Sequence, residues 1–414
     1  MSKQNTSSIE KSSLDFGELE DVLRGEIQKK LQDILEEEVS AFLGRAWHQR
    51  KQSVDPQPGY RNGYGKPRNL TLSCGTVTVR RPRVRGLEER FESRILPLFK
   101  RRSQKVDEVL PELYLHGLSQ GDFDLALRGL LGEKAPISAQ SIARLKAKWQ
   151  GEYETWSQRS LADKEVVYMW VDGIYVKAGL EKEKAALLVV LAAMSNGDKV
   201  FLAIEPGYRE STQSWAGVLR GLKRRGLKCP RLVCGDGHLG IWGAIREVYP
   251  EASEQRCWNH RIVNILQQVP KKRQAEASEL LKVIPYAQSS AEAEQLKRKF
   301  QQWAKQQGYE KAAKLIDQDW ERMVAFYRFP KEHWRHLRTT NTVESPFSAV
   351  RLRTAAARRF KKVANATAMI WKTMLVGEKR FHKLNAPKLM QEVFEGLECK
   401  DGIRVNIAKL KDAA

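Results

Sequence analysis

The sequence predicts a mixed α/β protein whose sheet-forming core is split by a long helical stretch and preceded by helical and small β segments. Three observations predict it. Apolar runs of strand length, EVVYMWVDG, AALLVVLAAM, KVFLAIE and RLVCGDG, cluster between residues 165 and 237. Helical spacing of apolar residues takes over from 258 to 337 with no strand signal. Before residue 160 lie a long amphipathic pattern, a basic stretch rich in Pro and Gly, and three short helical patterns.

Charge narrows the partner. The 414 residues carry 72 Lys+Arg against 50 Asp+Glu, a formal net charge of +22, with a pI near 9.7. Such an excess points to a polyanion, because basic side chains release counterions from phosphates. Nucleic acid is the first candidate. A membrane is disfavoured, since no stretch approaches the roughly 18–20 apolar residues a span needs. The opening MSKQNTSSIEKSS lacks the apolar centre of a signal peptide, so the expected compartment is the cytoplasm, in association with the nucleoid. Five scattered cysteines do not make a secreted disulfide framework.

The elements follow in order. In 1–50, Leu19, Val22, Leu23, Ile27, Leu31, Ile34, Leu35, Val39, Phe42 and Leu43 make one stripe of a helix closed by Gly44. It packs on the chain or dimerises. In 51–105, LTLSCGTVTV alternates as a hairpin turning at Gly75, with a basic exit strand carrying Arg80, Arg81, Arg83 and Arg85. With Arg61 nearby, this reads as phosphate contact; the competing reading is a solvated face. In 106–160, three helices suit a helix-turn-helix, with Ser119 or Asp122 capping the second. The third, capped by Ser138, offers Gln140, Arg144, Lys146 and Lys148 to DNA.

The core occupies 161–257, with SEQRC as a possible fifth strand, and resumes at 338–385 after a helical insertion at 258–337. A basic helix after TTNTVES carries Arg351, Arg353, Arg358 and Arg359, and 386–414 reads as a peripheral tail. Seven helical steps from Glu344 put Arg351 on the Glu344 face. Nine put Arg353 elsewhere, toward target DNA or a partner.

Asp172 and Asp236 each precede a glycine at what reads as a strand end, where α/β sheets place their chemistry. Two such carboxylates side by side repel unless a cation neutralises them, and oxygen donors select Mg²⁺ or Mn²⁺. Glu344 lies beside Pro346 near a helix start. Asn341 is its expected N-cap, and the bland alternative makes Asn341 and Glu344 a capping box.

The motifs RNGYGKPRN, VTVRRPRVR, LYLHGLS, WVDGIYVK, CGDGHLGI, QRCWNHRIVNIL and TTNTVES, in that order, resemble those of bacterial insertion-sequence transposases of the Mutator superfamily. The resemblance covers roughly residues 40–385. It implies a ribonuclease H-like core with an all-helical insertion and a catalytic Asp-Asp-Glu triad at Asp172, Asp236 and Glu344. Two Mg²⁺ or Mn²⁺ ions would be held by these acids, with Asp172 bridging both. It also implies a Cys-x-x-His signature at Cys257 and His260. The implied activity is cleavage of terminal inverted repeats and strand transfer into target DNA, by a homodimer or higher oligomer.

His260 reads as a contact to the reacting phosphate or a base, or as a mere helix-end cap. Zinc on Cys257 and His260 with Cys229 and Cys234 is formally available but disfavoured, since Cys234 falls in an apolar strand. Two other classes remain: an inactive DNA-binding regulator derived from a transposase, and a ribonuclease H-like nuclease or junction resolvase.

Overall fold

The structure is a computed structural model. It describes residues 16–51, 58–118, 120–132, 135, 139–179, 185–207, 209, 211–237, 239–357 and 359–405. The expected caps Ser119 and Ser138, and Arg358, lie outside these, as do the side chains of Asp122 and Gln140. The chain divides into two compact units, Met1–Leu145 and Lys146–Ala414.

In the first unit, α1 (Phe16–Leu43) ends at Gly44, whose φ of 63° is the left-handed geometry of a helix stop. Two antiparallel ribbons follow: β1 (Tyr60–Tyr64) with β4 (Pro82–Arg85), and β2 (Arg68–Leu72) with β3 (Gly75–Val79). Leu72 pairs with Gly75, so the hairpin turns at Ser73–Cys74, immediately before the Gly75 the sequence suggested. The basic exit strand leaves this hairpin to pair with β1. Leu35, Leu70, Val77, Val79 and Leu96 form one small core, and Val39, Leu43 and Phe91 another. The C-terminal half of α1 is therefore packed, while Leu19, Val22 and Leu23 are exposed. Helices α2 (Gln104–Leu115) and α3 (Gln120–Leu131) complete the unit.

Helix α4 (Ala139–Ser157) crosses the division, which falls before the expected boundary at 160. The helix continues into the second unit, where Tyr153 and Trp156 pack on Trp371 at ring distances of 5.8 and 5.7 Å. The second unit is built on β5 (Val166–Val176), β6 (Ala185–Met194), β7 (Lys199–Gly207), β8 (Leu232–Gly235) and β9 (Ser253–Arg256) in the order β7-β6-β5-β8-β9. The β7-β6-β5 meander is antiparallel, and β5-β8-β9 is parallel. Helices α5 (Thr212–Arg224), capped by Ser211, and α6 (Leu239–Val248) supply the crossovers. They bury Trp215, Leu219, Leu222, Trp242 and Ile245 against Met169, Val171 and Val190 on one sheet face. Burial of apolar area at about 25 cal/mol per Å² makes this the main cohesive contact of the unit.

The opposite face is covered by the chain after β9. It runs through α7 (Trp258–Leu266), α8 (Gln274–Lys282), α9 (Ser290–Gln306), α10 (Glu310–Leu315), α11 (Trp320–Met323), α12 (Trp334–Leu337) and α13 (Asn341–Glu344) with no strand. Then come α14 (Phe347–Ala357), α15 (Val363–Glu378) and α16 (Pro387–Glu395), and a hairpin of β10 (Cys399–Lys400) and β11 (Ile403–Arg404). Residues 386–405 are thus not a peripheral tail. Met390 and Val393 are buried, α16 packs on β5, and Asp401 accepts the Ser290 N–H at 2.7 Å. Among the described residues no helix is long and apolar enough to cross a membrane.

Candidate active site

Strand register decides what meets what. Trp170 of β5 lies opposite Cys234 of β8, and Cys234 opposite Gln255 of β9. Side chains alternate along a strand, so the next residues on that face are Asp172, Asp236 and Cys257. The ladder continues to this level, since the Cys257 N–H donates to the Gly235 carbonyl at 2.8 Å. The shared face is the one the helical stretch covers: Trp170 Nε1 donates to the His336 carbonyl at 2.9 Å, and Gln255 Nε2 to that of Met323 at 3.2 Å. Helix α13 packs on β5 and β6 there and brings Glu344 in.

Asp172 does not end β5, as its Gly suggested. Pairing with β6 runs on from Asp172–Val189 to Val176–Ala185, so Gly173 is an interior strand residue. What ends just before Asp172 is the ladder with β8, whose last rung is Val171–Gly235. Asp172 and Asp236 are both partly buried. Asp172 Oδ1 accepts its neighbour's amide, that of Gly173, at 2.7 Å. Gly237, by contrast, is a true turn glycine with φ of 95°, and a Cβ there would sit 2.2 Å from Arg256 Nε.

Glu344 meets the Cys-x-x-His pair through Thr340. The Thr340 N–H and hydroxyl lie 3.3 and 3.2 Å from Cys257 Sγ, and the hydroxyl lies 3.4 Å from His260 Nδ1. The same hydroxyl donates to Glu344 Oε1. His260 Nδ1 is 3.9 Å from that oxygen. The N-cap of α13 is Thr340, not Asn341, which is the first residue of the helix; the Asn341 Oδ1 accepts from Asn259 Nδ2 at 3.0 Å. A capping box between Asn341 and Glu344 is absent for that reason.

The electrostatics report the same convergence. Burial raises the Cys234 thiol well above its ordinary pKa, and Cys257, Glu344, Asp172 and Asp236 all push the same way. His260 is raised to about 9, chiefly by its hydrogen bond to Cys257, then by the charges of Cys257, Glu344 and Asp172, against the opposing effect of burial. A cation bound beside it would oppose that rise. Cys257, His260 and Glu344 offer donor atoms within 4.8 Å of one another. Neither Cys229 nor Cys234 joins them among the described residues, so the Cys₃His zinc set is not assembled.

The cluster is braced from behind. Asp319, itself at a φ of 64°, accepts from Arg256 at 2.5 Å, from Arg261 at 3.2 Å, and from Arg322. Arg261 is 1% exposed. This network joins β9 to the helices that carry His260, and nothing local in the sequence marks Asp319.

The basic residues divide. Arg80, Arg83, Arg85, Arg144, Lys148 and Arg351 are exposed, and Lys146 is half-buried. Arg61 is engaged with Glu36 at 3.3 Å and with Ser40 Oγ at 2.6 Å, Arg81 with the Phe91 carbonyl at 2.9 Å, and Arg359 with that of Gly179 at 2.8 Å. Arg353 is 2% exposed, with Nε against Met369 Sδ at 3.4 Å. It therefore faces the interior, not target DNA. The helix also breaks at Ser345–Pro346, so counting steps from Glu344 across one continuous helix does not apply.

The structure gathers Arg81 and Arg83, which the sequence singles out for phosphate contact, with further basic residues around a cavity in the first unit. Lys66, Arg68, Arg81, Arg83, Arg90 and Arg101 line a space of 510 Å³ with no acid in its wall. Among the described residues none of the six forms an ion pair. Burial and the charges of Arg101 and Arg81 lower the Arg68 pKa. Phe99, 88% exposed, stands at the rim. Glu38 holds the loop behind it, accepting from Ser93 Oγ and the Arg94 and Ile95 amides.

Fold and site together define an α/β protein in which strand register and α13 bring Asp172, Asp236 and Glu344 to one face of a mixed sheet, and whose first unit carries a basic cavity. Comparison with known proteins gives the family. The model of the Mutator family of transposases matches residues 2–380, and the chain belongs to that family. It is 44% identical over 293 residues to the transposase for insertion sequence element IS6120 of Mycolicibacterium smegmatis, covering 70% of this chain and 90% of that protein. It is 37% identical over 284 residues to the transposase for insertion sequence element IST2 of Acidithiobacillus ferrooxidans, covering 68% and 96%. To the transposase for insertion sequence element ISRM5 of Rhizobium meliloti the identity is 29% over 356 residues, covering 84% and 86%.

Proposed function

We propose that this chain is the transposase of an insertion sequence. It binds the terminal inverted repeats, cuts a strand at each end and joins the ends to target DNA, with Asp172, Asp236 and Glu344 as its metal-binding acids on a ribonuclease H-like core. The observation that carries this reading is the shared register level of Asp172 and Asp236 on the face that receives Glu344. The sheet order, an antiparallel meander joined to two parallel strands, supports the core assignment.

The donor set suits a hard cation: three carboxylates, with a thiol and an imidazole beside them. Two Mg²⁺ or Mn²⁺ ions bound there would supply an activated nucleophile and charge stabilisation at the scissile phosphate. The chain's own residues do the rest. The interior of β5 holds Asp172 and the end of β8 holds Asp236, α13 delivers Glu344, and His260 stands within reach of a bound phosphate. DNA itself is held by the exposed Arg80, Arg83 and Arg85, by the uncompensated basic cavity, and by Arg144 and Lys148 on α4. The exposed Leu19, Val22 and Leu23 of α1 fit a contact between copies, which a reaction on two ends calls for.

An in vitro joining assay with labelled terminal-repeat ends, a plasmid target and Mg²⁺ tests the proposal. Wild type should give donor ends covalently joined to target. Asp172→Ala, Asp236→Ala and Glu344→Ala should each abolish cleavage and joining while keeping end binding. Binding without cleavage in wild type would favour a regulator, and cleavage without joining a nuclease.

A further inference from the structure

Cys257, His260 and Glu344 invite a reading as a metal site of their own. Their donor atoms are close enough, but one group already occupies the position they share. The Thr340 hydroxyl lies 3.2 Å from Cys257 Sγ and 3.4 Å from His260 Nδ1, and donates to Glu344 Oε1. An ion bound to all three at roughly 2.0–2.3 Å would compete with that hydroxyl for every partner it has.

Thr340 is 0% exposed, and its main chain is equally committed. Its N–H reaches Cys257 Sγ at 3.3 Å, and its carbonyl accepts from Val343 and Glu344 at 2.9 and 3.1 Å. The hydroxyl has one proton to donate. Glu344 Oε1 and Cys257 Sγ both stand as its acceptors, the carboxylate being the stronger, and its oxygen can take the His260 Nδ1–H. The chain joined here has a long gap, for Thr340 is 80 residues from His260 and 83 from Cys257.

We propose that Thr340 is a positioning residue: its hydroxyl fixes the Glu344 carboxylate relative to β9 and couples it to Cys257 and His260. The role rests on the reading of Glu344 as a metal-binding acid. A carboxylate on a single helical turn rotates freely about its side-chain bonds. With one oxygen held by Thr340 it still offers the other to a cation, in one orientation. The Cys-x-x-His pair then supports the acid from outside, in the way that hydrogen-bonding partners of a metal ligand orient it.

The test compares Thr340→Val, which keeps the shape and removes the hydroxyl, with Thr340→Ser, which keeps the hydroxyl. Mn²⁺ alone is titrated into full-length protein, and the rise in Tm is followed against ion concentration, with the metal-free Tm as the folding control. Loss of such a supporting partner typically weakens metal affinity by about 10–100-fold. Thr340→Val should therefore need at least about tenfold more Mn²⁺ for half the shift, and Thr340→Ser should stay within about threefold of wild type. A folded Thr340→Val protein with the wild-type midpoint overturns the proposal. If Thr340→Val does not fold, Thr340→Ala replaces it, since it leaves a void rather than a misplaced methyl, and the same two outcomes decide. A wild type whose Tm ignores Mn²⁺ overturns both this role and the metal reading. Thr340-dependent Mn²⁺ binding in a protein that leaves terminal-repeat DNA uncut supports the positioning role and refutes the transposase chemistry alone.

Discussion

Asp172 and Asp236 each lie two residues beyond the Trp170–Cys234 rung of the β5–β8 ladder, where the alternation of side chains puts both on the same sheet face. That relationship needs a tight turn directly after Asp236, because the chain must leave the sheet beside Arg256. Gly237 provides it. Gly237→Ala combines a φ of 95° with a Cβ 2.2 Å from Arg256 Nε. Positive φ and a displaced side chain together should cost about 2 kcal/mol or more. Thermal unfolding should show the loss, and metal-dependent cleavage should fall further than stability does, because Asp236 moves with the turn.

Asp319 gathers three arginines, two of them, Arg256 and Arg261, buried. Asp319→Asn keeps the side-chain shape and suits the left-handed backbone, but leaves Arg261 and Arg256 without a counter-charge. Removing one partner of a largely buried pair should destabilise by about 3 kcal/mol. The pH dependence has a definite sign. Burial pushes the Asp319 carboxyl up, but Arg256, Arg322 and Arg261 hold it below its ordinary value. Its stabilisation is therefore complete above the unfolded carboxylate pKa of about 3.9 and is lost as pH falls through the lower folded value. Denaturant unfolding at pH 7 and between pH 4 and 2 should show the wild-type advantage over Asp319→Asn shrinking across the acid range.

The two arginines after Pro346 should behave oppositely. Arg353→Ala removes a 2% exposed side chain and should cost about 2–3 kcal/mol through lost packing. Arg351→Ala, at an exposed position, should change stability by no more than about 0.5 kcal/mol. On the proposed function, Arg351→Ala lowers cleavage turnover at saturating DNA. A stable Arg353→Ala protein with normal cleavage and impaired target joining would restore the DNA role that burial removes.

In the first unit, Arg83→Gln and Arg90→Gln should each lower the magnitude of the slope of log K against log salt by about one, on terminal-repeat and random duplexes alike. Anisotropy titrations at several salt concentrations measure this. Slopes that match wild type would leave the cavity with no phosphate to hold.

Much of this architecture is legible in the sequence. The buried runs of β5, β6 and β8 and the capped helix from Ser211 carry their own local signals. Register is a different matter. A period of two tells which face a residue takes but not its offset from a neighbouring strand, so the levelling of Asp172, Asp236 and Cys257 could be suspected only from their Gly and Cys-x-x-His contexts. Asp172 was misplaced at a strand end because Gly173 resembles a terminator, whereas pairing with β6 overrides it. Arg353 reads as a surface charge because its burial depends on Met369 and α15. Thr340 carries no local mark at all, since the partners that define it are distant in the chain.

The central claim is that one cation site is formed by Asp172, Asp236 and Glu344, and iron footprinting tests it most directly. Fe²⁺ replacing Mg²⁺, with ascorbate and peroxide, generates hydroxyl radicals that cut the polypeptide near the bound ion. The account predicts three clusters of cuts, around residues 172, 236 and 344, that fade together as Mg²⁺ is added and vanish in Asp172→Ala. Cuts confined to the neighbourhood of Cys257 and His260, or cuts at 172, 236 and 344 that Mg²⁺ does not suppress, would contradict it.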